Sequence, residues 1–271
     1  MVTDSLRLMC IFAHPDDETL GSGGTVAKYA AEGVEVYLVT ATRGERGWFG
    51  AEQDNPGLEA LGRLREAELH AAARTLGLRE VALLDYLDGD LDQADHAEVV
   101  AKIVSHLRRV RPQVVITFPP DGSYGHPDHI AICQFTQAAI VCAADATYGD
   151  ARQLPSHRVS KLYYMVDARA LVDFFESLMG GSITMPVDGV ERRQVAWDEW
   201  AVTTRIDASD YWRTVVQAIL CHRTQLPSLG SAVDWPEETH RKLWSAGTFY
   251  RVFSLVNGGR TVERDLFDGL R

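Results

Sequence analysis

The chain lacks the features that would direct it to a membrane, a nucleic acid or an oxidising compartment. None of its 271 residues belongs to an apolar run approaching the roughly 18 needed to span a bilayer. The N-terminal stretch MVTDSLRLMCIFAH has no basic start, and its apolar part is too short for a signal peptide, so 6–12 reads as a first core strand. Cysteine is scarce. Cys10, Cys133, Cys142 and Cys221 fall in no CxxC spacing and lie mostly inside apolar runs. They read as buried free thiols rather than disulfides or metal ligands, which suits the cytoplasm. Basic residues are outnumbered, 27 Lys and Arg against 38 Asp and Glu, and the net charge of −11 argues against a nucleic-acid or anionic-membrane surface. There is no internal repeat, low-complexity tract or clear linker. The expectation is one domain over 1–271, with a core at 5–150 and a C-terminal part, 151–271, that completes the sheet and the substrate pocket. Hydrophobic residues at 46% and charged residues at 24% give the balance of a globular protein.

What is present has a rhythm. Apolar, β-branched runs at 6–12, 34–42, 81–86 and 113–118 alternate with helical spacing at about 23–32, 59–77, 94–110 and from Pro127 onward. In the second of these helices Leu61, Leu64, Leu69, Ala72, Ala73 and Leu76 are assigned to one face, and Gly77 is the stop. Continuously apolar strands alternating with helices predict an α/β, Rossmann-like fold: a mostly parallel sheet covered by helices on both faces. The second half is less regular. Strands are expected at 161–166 and 202–207, helices at 168–179 and 209–223, and an excursion or lid at 180–200.

Polar residues crowd where the strands end. HPDDE (14–18) follows the first strand and GHPDH (125–129) follows the strand at 113–118. A parallel sheet brings both to its carboxyl edge, where ligands bind in such folds. Each motif repeats His-Pro-Asp with a ligand-type residue three places after the histidine: His14 with Asp17, His126 with His129. Proline in second place suits the first turn of a helix, and i, i+3 spacing puts each pair on one face. Imidazole and carboxylate suit zinc, ferrous iron and related divalent ions, and catalytic sites use about three protein ligands. His14, Asp17 and His129 are assigned to the metal. Asp16 is left free to take the proton from the attacking water. His126 is left to stabilise the oxyanion or to protonate the leaving amine, with Asp128 orienting it and raising its pKa.

AHPDDE paired with YGHPDH resembles the PIG-L/LmbE-like family of metal-dependent N-acetylglucosaminide deacetylases, over at least residues 6–135. The resemblance implies a Rossmann-like fold, usually zinc and sometimes ferrous iron, and removal of acetyl from an N-acetylglucosamine-containing small molecule. It implies the same division of roles among His14, Asp16, Asp17, His126 and His129. Arg65 in REAEL and Asp88 in DGDL occupy the places of family residues that contact substrate hydroxyls. Tyr124 matches a mobile tyrosine that assists the oxyanion. The later HRTQ resembles the tail of bacterial members and makes His222 a weaker candidate, with Arg213 where that helix commonly carries a lysine. No membrane-anchoring segment of the eukaryotic kind is seen.

The loop TRGERGWFG adds Trp48, a broad apolar ring for a sugar face, and Arg43 and Arg46, which suit a carboxylate or phosphate on a substrate. Two alternatives stand beside the deacetylase. A related metal amidase, acting on a thiol conjugate or another acyl amide, would share the metal site. A nucleotide-binding module is disfavoured, because GSGG (21–24) lacks the G-x-G-x-x-G spacing and follows acids that would repel a pyrophosphate. A homo-oligomer is an open possibility.

Overall fold

A computed structural model describes residues 5–149 and 152–271. The first half alternates as expected. In order come β1 (Arg7–Phe12), α1 (Asp17–Leu20), α2 (Gly23–Ala31), β2 (Glu35–Thr42), α3 (Leu58–Leu76), β3 (Glu80–Tyr86), α4 (His96–Val110), β4 (Val114–Thr117), α5 (Gly122–Gly125) and α6 (Pro127–Ala144). The second half supplies β5 (Lys161–Met165), α7 (Arg169–Met179), β6 (Thr184–Val187), β7 (Val190–Arg193), β8 (Thr204–Asp207), α8 (Trp212–Ile219), α9 (Leu226–Leu229), α10 (Glu237–Trp244) and β9 (Ala246–Ser254).

Seven strands form one sheet in the order β3-β2-β1-β4-β5-β9-β8. The first five are parallel; β9 runs antiparallel to β5 and to β8. Every residue of β1 after Arg7 is buried, as is every residue of β2 after Glu35. That burial explains their unbroken apolar runs. The helices form two groups, α2 and α3 with α8, and α4 with α6. Right-handed crossovers from a sheet that reverses direction at β1 place such groups on opposite faces. The switch point lies between β1 and β4, so the loops after those two strands open into one crevice. Among the described residues no helix is long and apolar enough to cross a membrane.

Several elements differ from expectation. Leu64 is exposed, and the buried stripe of α3 runs through Leu61, Arg65, Leu69, Ala72 and Leu76. At roughly 100° per residue Leu64 falls well off that stripe and Arg65 falls on it. The helix expected at 209–223 is confined to Trp212–Ile219. The segment 180–200 carries a two-stranded hairpin, β6–β7. Strand β9 was not anticipated. The cysteines are free, with Cys10 and Cys133 buried but Cys142 and Cys221 only half-buried.

The antiparallel side of the sheet is tied by one acid. Glu263 accepts hydrogen bonds from Lys161 Nζ (2.7 Å), Tyr163 Oη (2.8 Å), Thr204 Oγ1 (2.8 Å) and Asn257 Nδ2 (2.7 Å), and it pairs with Arg251 (2.9 Å). Lys161 is fully buried. This cluster pins β5, β8 and β9 to the C-terminal segment.

Candidate active site

The loop after β1 wraps around one carboxylate. The backbone N–H groups of Ala13 and His14 donate to Asp17 Oδ2 at 3.1 and 2.7 Å. Asp16 takes a left-handed conformation, φ 105°, which costs energy for a residue with a Cβ. Helix α1 begins only at Asp17, so Pro15 lies in the loop ahead of it and not in a first helical turn. The second motif does follow the expected form. Pro127 opens α6, and His126 caps it by accepting the Asp128 N–H at Nδ1, 3.1 Å.

The two motifs meet. His14 Nδ1 lies 3.1 Å from His129 Nε2, and Asp17 presents Oδ2 at 3.8 Å to the first and Oδ1 at 3.6 Å to the second. Donor atoms bound to a tetrahedral ion at about 2.0–2.1 Å lie roughly 3.3 Å apart, so the three fit such an ion. The outer nitrogens fix the tautomers. His129 Nδ1 faces the Gly122 carbonyl at 3.1 Å and so carries its proton, leaving Nε2 with a lone pair. His14 Nε2 faces Asp88 Oδ1 and Asp128 Oδ2, both at 3.1 Å, which leaves Nδ1 free in the neutral ring. With His14 neutral, two acceptors would face each other beside a carboxylate, which suits a cation between them; without one, a proton on His14 Nδ1 fills the 3.1 Å gap to His129. Carboxylate and carbonyl partners behind ligating histidines are the usual support of a metal site. His126 joins His14 and His129 in one cluster, and a second cluster is His14, Asp88 and Asp128.

Charge and burial set the protonation states. Burial works against the charge on His14, yet Asp88 and Asp128 hold its pKa well above the ordinary value. Burial and the neighbouring His14 drive His129 well below its own. His126 is pushed down to about 4, again by burial and then by His14. Burial lifts Asp17 to about 7 against the pull of His14. Burial also raises Asp16, opposed by Arg65 and His222.

The remaining candidates divide. Asp128 does not orient His126. Its side chain accepts from the N–H groups of Gly89 (2.7 Å) and Leu91 (3.1 Å) and holds His14; His126 is hydrogen-bonded only to its backbone, and although the Asp128 charge acts to raise the His126 pKa, burial and His14 bring it down. Asp88 likewise turns to His14 and to the Arg46 N–H (3.0 Å). Burial disfavours its charge, but His14 brings its pKa well below the carboxylate range. Arg65 is buried and clamps the strained loop, donating to the carbonyls of Pro15 (2.6 Å) and Gly44 (2.8 Å) and to Asp16 Oδ2 (3.2 Å). Arg43 and Arg46 have carboxylate partners within the chain: Glu66 and Asp85 for the first, a bidentate Asp90 for the second. Trp48 donates to the Ala51 carbonyl (3.0 Å) and lines a shallow depression with Glu45, Arg46 and Leu58. Tyr124 stands edge-on to His126 and His129, ring centres 5.9 and 5.1 Å away. Arg213 pairs with Glu237 on the surface.

One residue of the first motif was overlooked. Glu18 is fully buried. Its Oε2 accepts the Asp16 N–H at 3.0 Å, and its Oε1 meets Thr19 Oγ1 at 2.6 Å and His222 Nε2 at 3.0 Å. The available signal was an acid at the start of a short helix, paired with an orphan histidine in HRTQ.

Comparison with known proteins agrees with this geometry. The family described as "PIG-L: GlcNAc-PI de-N-acetylase" matches residues 9–140. A 1D-myo-inositol 2-acetamido-2-deoxy-alpha-D-glucopyranoside deacetylase of Streptomyces griseus is 36% identical, over 97% of this chain and 89% of that protein. A mycothiol S-conjugate amidase of Streptomyces coelicolor is 29% identical, over 100% of this chain and 99% of that one. Among solved structures, a conserved protein of Thermus thermophilus superposes with TM-score 0.67 at 26% identity, covering 93% of this chain and 97% of its own. A Rossmann-like sheet with its switch point at β1 and β4, and a His/Asp cluster at that point that could hold a metal ion, set the class of protein. The chain belongs to the PIG-L/LmbE-like deacetylase family.

Proposed function

We propose that the chain is a zinc- or ferrous-ion-dependent N-deacetylase. It removes acetyl from an N-acetylglucosamine-containing small molecule and releases acetate and a free amine. The observation that carries this reading is the triangle of His14 Nδ1, His129 Nε2 and Asp17, with the Asp16 carboxylate on the adjacent residue. His14, Asp17 and His129 would hold the ion. When bound there, a divalent ion polarises the amide carbonyl and makes water acidic enough to lose a proton near neutral pH.

The chain's own groups do the rest. Asp16 accepts the proton from water as the oxygen attacks the carbonyl carbon. It then returns that proton to the nitrogen as the C–N bond breaks. Arg65 and the backbone hydrogen bond to Glu18 hold Asp16 in its strained conformation, which aims the carboxylate. Because His126 Nδ1 accepts a backbone N–H, the neutral ring carries its proton on Nε2. That N–H supports the tetrahedral oxyanion as a donor rather than as an acid. The Tyr124 hydroxyl assists from the same side. Asp128 and Asp88 act through His14. Trp48 borders the approach for the sugar.

The test is release of acetate and free amine from a panel of N-acetylglucosaminides, before and after chelation. Release that chelation abolishes supports the reading; no release from any acetylated sugar by the metal-loaded protein sinks it. The likeness to the Streptomyces coelicolor amidase favours one alternative, hydrolysis of a thiol-conjugate amide at the same site. Including such amides in the panel separates the two.

A further inference from the structure

The GSGG segment, which carries no part of the proposed chemistry, forms one wall of a cavity of about 240 Å³ at the same edge of the sheet. At Gly24 a Cβ would sit 2.9 Å from Ala208 Cβ and 3.0 Å from the Trp244 carbonyl, and at Gly21 it would displace the end of the Met165 side chain. These glycines serve close packing under a pocket, not the approach of a phosphate. The other walls are mostly apolar, with Leu171, Phe175, Trp235 and Trp244, and carry a few polar groups, among them Asp167 and His240. The cavity lining is linked to the candidate site by two hydrogen-bonded paths. Thr19, in its lining, bonds Glu18. Gln194, also in its lining, holds Asp167 (2.6 Å) and precedes Val195, whose N–H donates to Ser123 beside Tyr124 (2.6 Å).

We infer that this cavity is a specificity subsite for an apolar group on the amine-bearing half of the substrate, an alkyl or aryl aglycone. The inference rests on the proposed amide hydrolysis. That reaction leaves only two carbons on the acyl side, too few to need such a space, so the cavity serves the part of the substrate that is retained. A cavity of about 150 Å³ lined by aliphatic and aromatic side chains holds benzene, so this one takes a group of roughly eight carbons. A sugar bearing only polar substituents would leave its walls unused.

The test uses methyl, butyl and octyl glycosides of N-acetylglucosamine with the metal-loaded protein. Acetate release gives kcat/KM, and quenching of tryptophan fluorescence in the Asp16→Ala protein gives binding. With each buried methylene strengthening binding about threefold to fourfold, octyl should exceed methyl by at least roughly 100-fold. Val216→Trp fills the cavity from α8, and Leu171→Lys makes its wall polar. Both should remove the gain while leaving hydrolysis of the methyl glycoside unchanged. A flat series in wild type, a gain that survives in both variants, or a gain that follows the length of the N-acyl chain instead overturns the inference. Binding that grows with aglycone length but never yields acetate would refute the reaction and uphold the subsite, so the two failures are distinct.

Discussion

Glu263→Gln removes the charge at the junction of β5, β8 and β9 and leaves the Lys161 ammonium buried without its counter-ion. The acid's pKa falls from 4.5 to about 2; burial opposes this, and the hydrogen bonds from Lys161, Asn257, Thr204 and Tyr163 overcome it. That depression corresponds to about 3 kcal/mol of native stability. Breaking a buried ion pair by removing one partner costs about 3–5 kcal/mol, so two separate routes give the same size. Because the folded pKa lies below the unfolded one, the contribution is complete above pH 4.5. It is lost as pH falls toward 2. Urea denaturation of wild type and variant across pH 2–8 should show a gap of about 3 kcal/mol at pH 7, closing below pH 4.5. In a chain of this length the neutral-pH melting point should drop by roughly 5 °C. A gap under about 1 kcal/mol at pH 7, or one that stays constant down to pH 2, would refute the argument.

Other expectations concern the site. Asp16→Ala should lose at least about 100-fold in kcat while retaining the metal content of wild type, measured by elemental analysis; a silent effect on turnover would remove Asp16 from its role. His14→Ala or His129→Ala should lose both metal and activity, and full metal retention would reassign the ligands toward His126. Glu18→Gln weakens the hold on the Asp16 backbone without touching substrate. Its kcat should fall about 10- to 100-fold with KM and metal content unchanged, whereas a rise in KM alone would mean that Glu18 has no positioning role.

The paired HPD motifs were legible because the chain announces its parallel strands and such sheets gather their strand ends at one edge. Proximity in sequence misled where proximity in space decides. Asp128 stands two residues from His126, yet the N-cap geometry of α6 turns its carboxylate to His14 and to Gly89 and Leu91. Arg65 was expected to contact substrate hydroxyls, whereas its guanidinium clamps the loop of Pro15 and Asp16. Hydrophobicity suggested that Leu64 would face inward, and helical phase gave that place to Arg65. The run TFYRVFS carried enough β-branched and aromatic residues to announce β9, but no loop motif beside it drew attention. Glu18 could not be weighed from sequence because its partner, His222, lies more than 200 positions away.

The metal cluster draws all its members from the parallel strand ends, between His14 and His129, whereas most of the apolar wall of the cavity comes from 166–248. On the proposed reading, most reacting groups and most of the selectivity would lie in different stretches of one chain, joined where His222 meets Glu18 (3.0 Å). An exchange between relatives that replaced the later stretch would change which molecules are admitted, and would keep the chemistry provided the partner of Glu18 at His222 came with it. The unit of such an exchange cannot end at the cavity, since Glu263 binds residues of β5, β8 and β9 together. A viable chimera has to take β5 and everything through Glu263 as one piece.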